Sequence, residues 1–227
     1  EKTTVTYANE EHADYFSSNL HASAGAYTFN VNYPDGRFED ITLPLPGIHN
    51  VENATAAIAV AHSLGVGLET IASALKAFKG IHRRFVTAYS SEKLVVIDDY
   101  AHHPKELEVV LFSAREMYPG YTVKVLFQPH LFSRTRDFKE GFQKSLSLAD
   151  ETYLLDIYPA REAPIEGVTS STLLEGISCT EKAVLSKEEA TTKSWRNASD
   201  KPSVLLILGA GDISQLVEPI VNQSSTY

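Results

Sequence analysis

The sequence predicts an α/β protein whose carboxy-terminal part is a doubly wound, mostly parallel, Rossmann-like sheet. Three observations carry this reading. Four short apolar runs, at 94–97, 123–127, 153–157 and 204–208, are apolar on both alternating sets of positions, as strands buried on two faces are. Stretches of helical period separate them, which is the strand–helix alternation of a parallel sheet. A cluster of polar residues follows each run, at the place where open α/β sheets bind ligands.

The elements before that sheet are of a different kind. Residues 1–45 are polar, and the segment begins with neither a helix cap nor a buried strand, so it reads as the middle of a domain. Alternation over Tyr27-Thr28-Phe29-Asn30-Val31-Asn32-Tyr33, then Pro34-Asp35-Gly36, predicts a β-hairpin with its partner at 38–43. An alanine-rich helix is expected over 51–61, closed by Gly65, with Asn50 as its cap. A second helix over 68–78 places Ile71, Ala74, Leu75 and Phe78 on one face, and Gly80 ends it. The domain boundary falls at 80–85, giving domains of 1–82 and 83–227.

Within the second domain, helices are expected at 104–118, with Pro104 at an allowed early position, and at 133–148 and 170–177. A weak strand at 183–185 precedes a helix at 187–195. The strand at 204–208 runs into Gly209-Ala210-Gly211 and a final helix.

Composition bounds the function. Of 227 residues 43% are hydrophobic and 22% charged, ordinary for a globular protein. The net charge of -9 and pI near 5.4 argue against a basic nucleic-acid platform. Cys179 is the single cysteine, so no intrachain disulfide can form. No apolar run reaches bilayer length and Glu1-Lys2-Thr3-Thr4 is no signal core, so a cytoplasmic protein without membrane partners is expected.

The clusters after the strands each allow two readings. In Asp98-Asp99-Tyr100-Ala101-His102-His103-Pro104 an aspartate caps the helix entered at Pro104, or the group is an acid–base site or ribose clamp. Adjacent histidines diverge, which speaks against zinc. In Gln128-Pro129-His130-Leu131-Phe132-Ser133-Arg134-Thr135-Arg136-Asp137 two cations sit at the positive end of a helix. Asp137 accounts for one; the other is free to grip a carboxylate or phosphate in bidentate fashion. Gly209-Ala210-Gly211 lacks the spacing of a dinucleotide fingerprint. Asn50 and Asn53 share a helical face, as caps or as partners of a purine edge, and Arg83-Arg84 is a solvated pair or a phosphate-reaching hinge.

Taken together these strings resemble the Mur ligases of peptidoglycan synthesis. Gly47-Ile48-His49-Asn50-Val51-Glu52-Asn53-Ala54 is similar to that family's central-domain motif near adenine, and Gly80-Ile81-His82-Arg83-Arg84-Phe85 to its domain junction. The Asp98–Pro104 and Gln128–Thr135 strings, with Tyr158-Pro159-Ala160-Arg161-Glu162-Ala163-Pro164-Ile165, resemble the alanine-adding branch. The resemblance implies a ligase that phosphorylates the carboxylate of UDP-N-acetylmuramate with ATP and Mg²⁺, then lets the amine of L-alanine attack the acyl phosphate. It also implies an end of the central ATP-binding domain followed by an amino-acid-binding domain.

By the same resemblance Asn50 and Asn53 contact adenine, His49 belongs to the ATP site, Asp98 contacts the ribose, and Arg83 or Arg84 the phosphates. Tyr100, His102, His130 and Arg134 surround the alanine; His102 and Arg134 carry the chemistry, and Arg134 binds the carboxylate. Leu131 stands where the family pattern often has arginine, which leaves Arg134 a larger share of the anion binding. No G-x-x-x-x-G-K-[ST] loop occurs in the chain. The expectation is a fragment with the phosphate loop, most Mg²⁺ ligands and the uridine-binding domain upstream. Two alternatives remain. One is the family's murein-peptide recycling branch, which has phenylalanine in place of Tyr100 and lacks the Gln128-Pro129-His130 string. The other is a non-catalytic nucleotide-binding module.

Overall fold

A computed structural model describes residues 4–23 and 25–225, which form two compact units that divide between Gly80 and Ile81. The first contains β1 (Tyr7–Ala8), β2 (Tyr15–Ser23), β3 (Ala26–Tyr33), β4 (Gly36–Leu43), α1 (Ile48–Ser63) and α2 (Leu68–Ala77). Its sheet order is β1-β2-β3-β4, parallel at β1–β2 and antiparallel elsewhere. Tyr33 pairs with Gly36, so Pro34-Asp35 is a two-residue hairpin turn as the sequence indicates. Tyr27, Phe29, Val31, Ile41 and Leu43 are buried with Val51 and Ile58 of α1.

Two features of this unit depart from expectation. β2 is rich in Ser, Asn and His and buries only Tyr15 and Ser17, so it carries no apolar signal. The α1 cap is Gly47, at φ 89°, and not Asn50. Asn50 lies inside the first turn, where its amide donates to Pro46 O at 2.7 Å.

The second unit contains β5 (Val86–Ser90), β6 (Leu94–Asp99), α3 (Pro104–Met117), β7 (Thr122–Phe127), α4 (Phe132–Asp137) and α5 (Lys139–Leu146). It continues with β8 (Glu151–Leu154), α6 (Ser170–Leu174), β9 (Glu181–Val184), α7 (Lys187–Thr192), β10 (Ser203–Leu208), a 3-10 turn at Asp212–Leu216 and α8 (Val217–Ser225). The order is β5-β6-β10-β7-β8-β9, parallel throughout except β5. Successive residues of β6 and β10 enter opposite cores: Val95, Ile97, Val204 and Leu206 on one face, Leu94, Val96, Leu205 and Ile207 on the other. Burial on both faces is why these runs are uniformly apolar.

Several boundaries differ from the sequence reading, among them the weak strand expected at 183–185, which runs from Glu181 to Val184. The helix expected at 133–148 breaks into α4 and α5 at Phe138, whose backbone (φ -113°, ψ 21°) leaves the helical region without a Gly or Pro to announce it. The strand expected at 153–157 runs from Glu151 to Leu154. Helices expected at 170–177 and 187–195 are shorter, and β5 is a largely exposed edge strand with little apolar signal. Among the described residues no helix is long and apolar enough to cross a membrane.

Candidate active site

Register places the strand ends together. Leu208 of β10 pairs with Asp99 of β6 and with Phe127 of β7, and Phe127 pairs with Leu154 of β8. The four polar clusters therefore share the carboxyl rim of one sheet.

Asp98 and Asp99 are the last residues of β6 and do not cap α3. Glu106 does that work: its carboxylate accepts the N–H groups of His102 (2.9 Å) and His103 (3.1 Å). The Asp99 carboxylate accepts Phe85 N and Ala101 N, each at 2.7 Å, and so fixes the turns on both sides of the rim. Burial pushes its carboxyl up to about 6 against the pull of those N–H groups and Arg84. Burial raises Asp98 as well, opposed by Arg83 and His82.

Arg83 donates to Gly209 O, tying the domain entry to the end of β10. Its Nε stands 4.0 Å from Asp98 Oδ1, and its guanidinium lies 4.8 Å from the Tyr100 ring centroid, with that of Arg84 at 5.9 Å. Tyr100 meets His102 edge-on at 5.1 Å, and His102 lies 6.4 Å from His130. His102 Nδ1 faces Tyr100 O at 2.9 Å. A carbonyl only accepts, so Nδ1 carries a hydrogen in this contact and Nε2 is the nitrogen left to exchange a proton.

The chain past β7 and β8 is joined by one further parallel bridge, His130 to Tyr158, with Leu131 N donating to Tyr158 O (2.9 Å) and Tyr158 N to Pro129 O (2.8 Å). The bridge stacks the His130 and Tyr158 rings, 5.5 Å apart at 19°. Burial lowers the His130 pKa, and Arg134 and His102 lower it further, so this imidazole is neutral near pH 7. In α4, Ser133 donates its N–H (2.9 Å) and hydroxyl (2.5 Å) to Glu162. Those two bonds hold the Glu162 carboxyl below its ordinary range. Asp137 takes Arg136 at 2.8 Å, whereas the charge of Arg134 is felt by the Glu162 carboxylate and one of its nitrogens, Nη1, is left without a hydrogen-bond partner.

Among the described residues five buried side-chain nitrogens or oxygens have no hydrogen-bond partner, and four of them lie on this rim: Arg83 Nε, Asp98 Oδ1, His130 Nδ1 and Arg134 Nη1. Buried polar atoms are normally satisfied, so such a concentration marks a surface built for a ligand. The rim also holds four of the six non-glycine residues with positive φ among those described: Arg83 (57°), Phe85 (51°), Leu131 (74°) and Ala160 (50°). A guanidinium with one buried, unpartnered nitrogen, close enough to His130 to lower its pKa, suits a small molecule carrying both an anion and an amine.

Sequence reasoning gave no role to Glu162 or Gln128. Gln128, buried, accepts Ile213 N at 3.0 Å and donates to Asp212 at 2.9 Å, so it pins the turn after β10. Both lie inside strings singled out by sequence, but a contact over 29 or 85 residues leaves no local signal. His49, Asn50 and Asn53 lie on α1 of the first unit, His49 and Asn53 exposed. Among the described residues no group of three or more His, Cys, Asp or Glu side chains is placed to hold a metal.

Comparison with known proteins places this geometry in context. Residues 83–211 match the family model "Mur ligase, glutamate ligase domain", and residues 1–61 match "Mur ligase middle domain". A UDP-N-acetylmuramate–L-alanine ligase of Cytophaga hutchinsonii is 46% identical over 96% of this chain and 46% of its own length. The chain thus spans about half the length of the curated relatives it matches. Among solved structures, the UDP-N-acetylmuramate–alanine ligase of Thermotoga maritima superposes with TM-score 0.79 at 30% identity, over 98% of this chain and 48% of that one. A murein peptide ligase of Psychrobacter arcticus gives 0.57 at 23% identity, over 97% and 46%, and shares the fold.

Proposed function

Since the chain belongs to the Mur ligase family, we propose that the whole protein joins L-alanine to UDP-N-acetylmuramate at the expense of ATP, and that the rim of the second unit receives the alanine. The observation that carries this reading is Arg134 Nη1, buried without a partner on the rim that also bears His102 and His130. The alanine-ligase names of the relatives support the same choice.

A carboxylate resists attack by an amine until one oxygen becomes a phosphate leaving group, and the amine must be unprotonated to attack. In the proposal Arg134 takes the alanine carboxylate as a two-pronged anion. His102 Nε2, its ring oriented through Nδ1–H to Tyr100 O, accepts a proton from the ammonium. His130, neutral, adds a hydrogen-bonding wall without a second positive charge to repel that ammonium. Tyr100 shapes the pocket and carries Arg83 and Arg84 against its ring.

For ATP, Asn50 and Asn53 of the first unit are assigned to adenine and His49 to the same nucleotide, Asp98 of the second to the ribose, and Arg83 or Arg84 to the phosphates. The orphaned Asp98 Oδ1 suits a hydroxyl donor. Mg²⁺ would supply charge neutralisation at the transferred phosphate. Among the described residues no group of three His, Cys, Asp or Glu side chains is placed to hold it. The domain roles follow: 1–82 as the end of the ATP-binding domain and 83–227 as the amino-acid-binding domain, in a cytoplasmic enzyme.

Two outcomes test parts of this proposal. Glu162→Ala frees the first turn of α4, and the apparent KM for L-alanine is expected to rise about tenfold with kcat changed less, because Arg134 loses its orientation before it loses its charge. Steady-state kinetics in varied alanine check this; an unchanged KM removes Glu162 from the site. The 227-residue chain by itself, with no phosphate-binding loop in its sequence, is expected to release no alanine-dependent phosphate from ATP. A coupled phosphate assay decides it, and robust release would overturn the division of labour proposed here.

A further inference from the structure

A cavity of about 390 Å³ lies on the same rim, between the ends of β7 and β8 and the turn after β10, and none of the roles above uses it. Gln128, Asp156, Tyr158, Ser186, Lys187 and Asp212 are among its walls. Its polar lining is largely spoken for: Lys187 pairs with Asp212 at 2.5 Å, and Asp212 also receives the Gln128 amide. Tyr158 is the residue common to this cavity and to the His130 site. Its ring stacks on His130, and the residue is also one of the cavity's walls. The turn after β10 presses on the same side chain, since a Cβ added to Gly211 would come within 2.9 Å of Tyr158 Cγ and would collide with the Gln128 amide. Tyr158 is thereby clamped between His130 and Gly211, with its backbone fixed by two hydrogen bonds to the β7 extension.

We infer that Tyr158 is a specificity-determining partition, which shuts the 390 Å³ cavity off from the amino-acid position beside His130 and so limits the incoming amino acid to a methyl-sized side chain. This rests on the reading of the rim as the alanine site. A pocket that is merely apolar separates side chains differing by one or two carbons only weakly, whereas a fixed aromatic wall excludes them by overlap. Space for a larger side chain already exists behind that wall.

The test is the ratio of kcat/KM for L-leucine to that for L-alanine in the whole ligase, with UDP-N-acetylmuramate and ATP saturating. Tyr158→Ala is expected to raise the ratio at least tenfold, Tyr158→Leu to raise it less, and Tyr158→Phe, which keeps the ring, to hold it at the wild-type value. A ratio unchanged in both Tyr158→Ala and Tyr158→Leu overturns the inference, including the case where both substrates decline in parallel, as a purely structural role predicts. Loss of turnover on every amino acid in both variants overturns it too, because a partition is not needed to bind alanine. A wild-type protein that ignores alanine defeats the functional reading instead.

Discussion

Replacing Arg134 with alanine in the whole protein is expected to lower kcat/KM for L-alanine by roughly 100-fold, while the folded structure keeps its stability. Both halves follow from one geometry. A charge-assisted hydrogen bond to a carboxylate is worth about 1.5–3 kcal/mol, and a bidentate one stands at or above the upper end. Inside the protein, Arg134 Nη1 has no partner to lose. Removing the side chain therefore takes away no internal hydrogen bond at that atom, and the thermal midpoint is expected to move by less than about 2 °C. Steady-state kinetics beside a melting curve check the two together. Arg134→Lys keeps the charge but not the fork and is expected to recover only part of the loss. A non-catalytic module, or a domain whose rim clusters serve only as caps, predicts no change in turnover.

Asp99 shows the opposite pattern, a large effect on stability. Its carboxylate is the acceptor for Phe85 N and Ala101 N, both in buried residues. Asp99→Ala orphans two buried donors, at about 1–3 kcal/mol each, offset in part because a buried carboxylate no longer has to ionise. The expected net loss is roughly 2–4 kcal/mol in urea unfolding of the chain. The pH dependence carries its own sign. The folded carboxyl titrates near 6 against 3.8 when unfolded, so between those values the native state holds the more proton. Its contribution is whole below 3.8 and falls as pH rises through about 6, by up to roughly 3 kcal/mol. Asp99→Asn, which keeps one acceptor and cannot titrate, is expected to flatten that slope relative to wild type. Parallel slopes in the two proteins would remove Asp99 from the linkage.

How much was legible in the sequence depended on whether the signal was local. Strands β6, β7 and β10 announce themselves because both of their faces are buried, and the parallel order then places four polar clusters on one rim without further information. That Asp137 takes one of the two arginines was readable from proximity in the chain, while its choice of Arg136 comes from the folded structure. Edge strand β5 and the serine-rich β2 were not, since a strand exposed on one side needs few apolar residues. Nor was the break at Phe138, where the helix gives way without a glycine or proline and the ring settles 4.5 Å from His103. The partners that orient the site lie furthest from view. Glu162 reaches Ser133 and Gln128 reaches Ile213 across loops, and the clamp on Tyr158 depends on how closely Gly211 approaches, a distance set by the folded register.

Phosphate release by the whole protein, followed as each substrate is withheld in turn, tests the central proposal most directly. With UDP-N-acetylmuramate, ATP and L-alanine all present, one phosphate is expected per amide formed, and omission of any one of the three is expected to stop it. ATP turnover indifferent to L-alanine, or a clear preference for a preformed tripeptide over the free amino acid, would contradict the assignment of this rim to alanine.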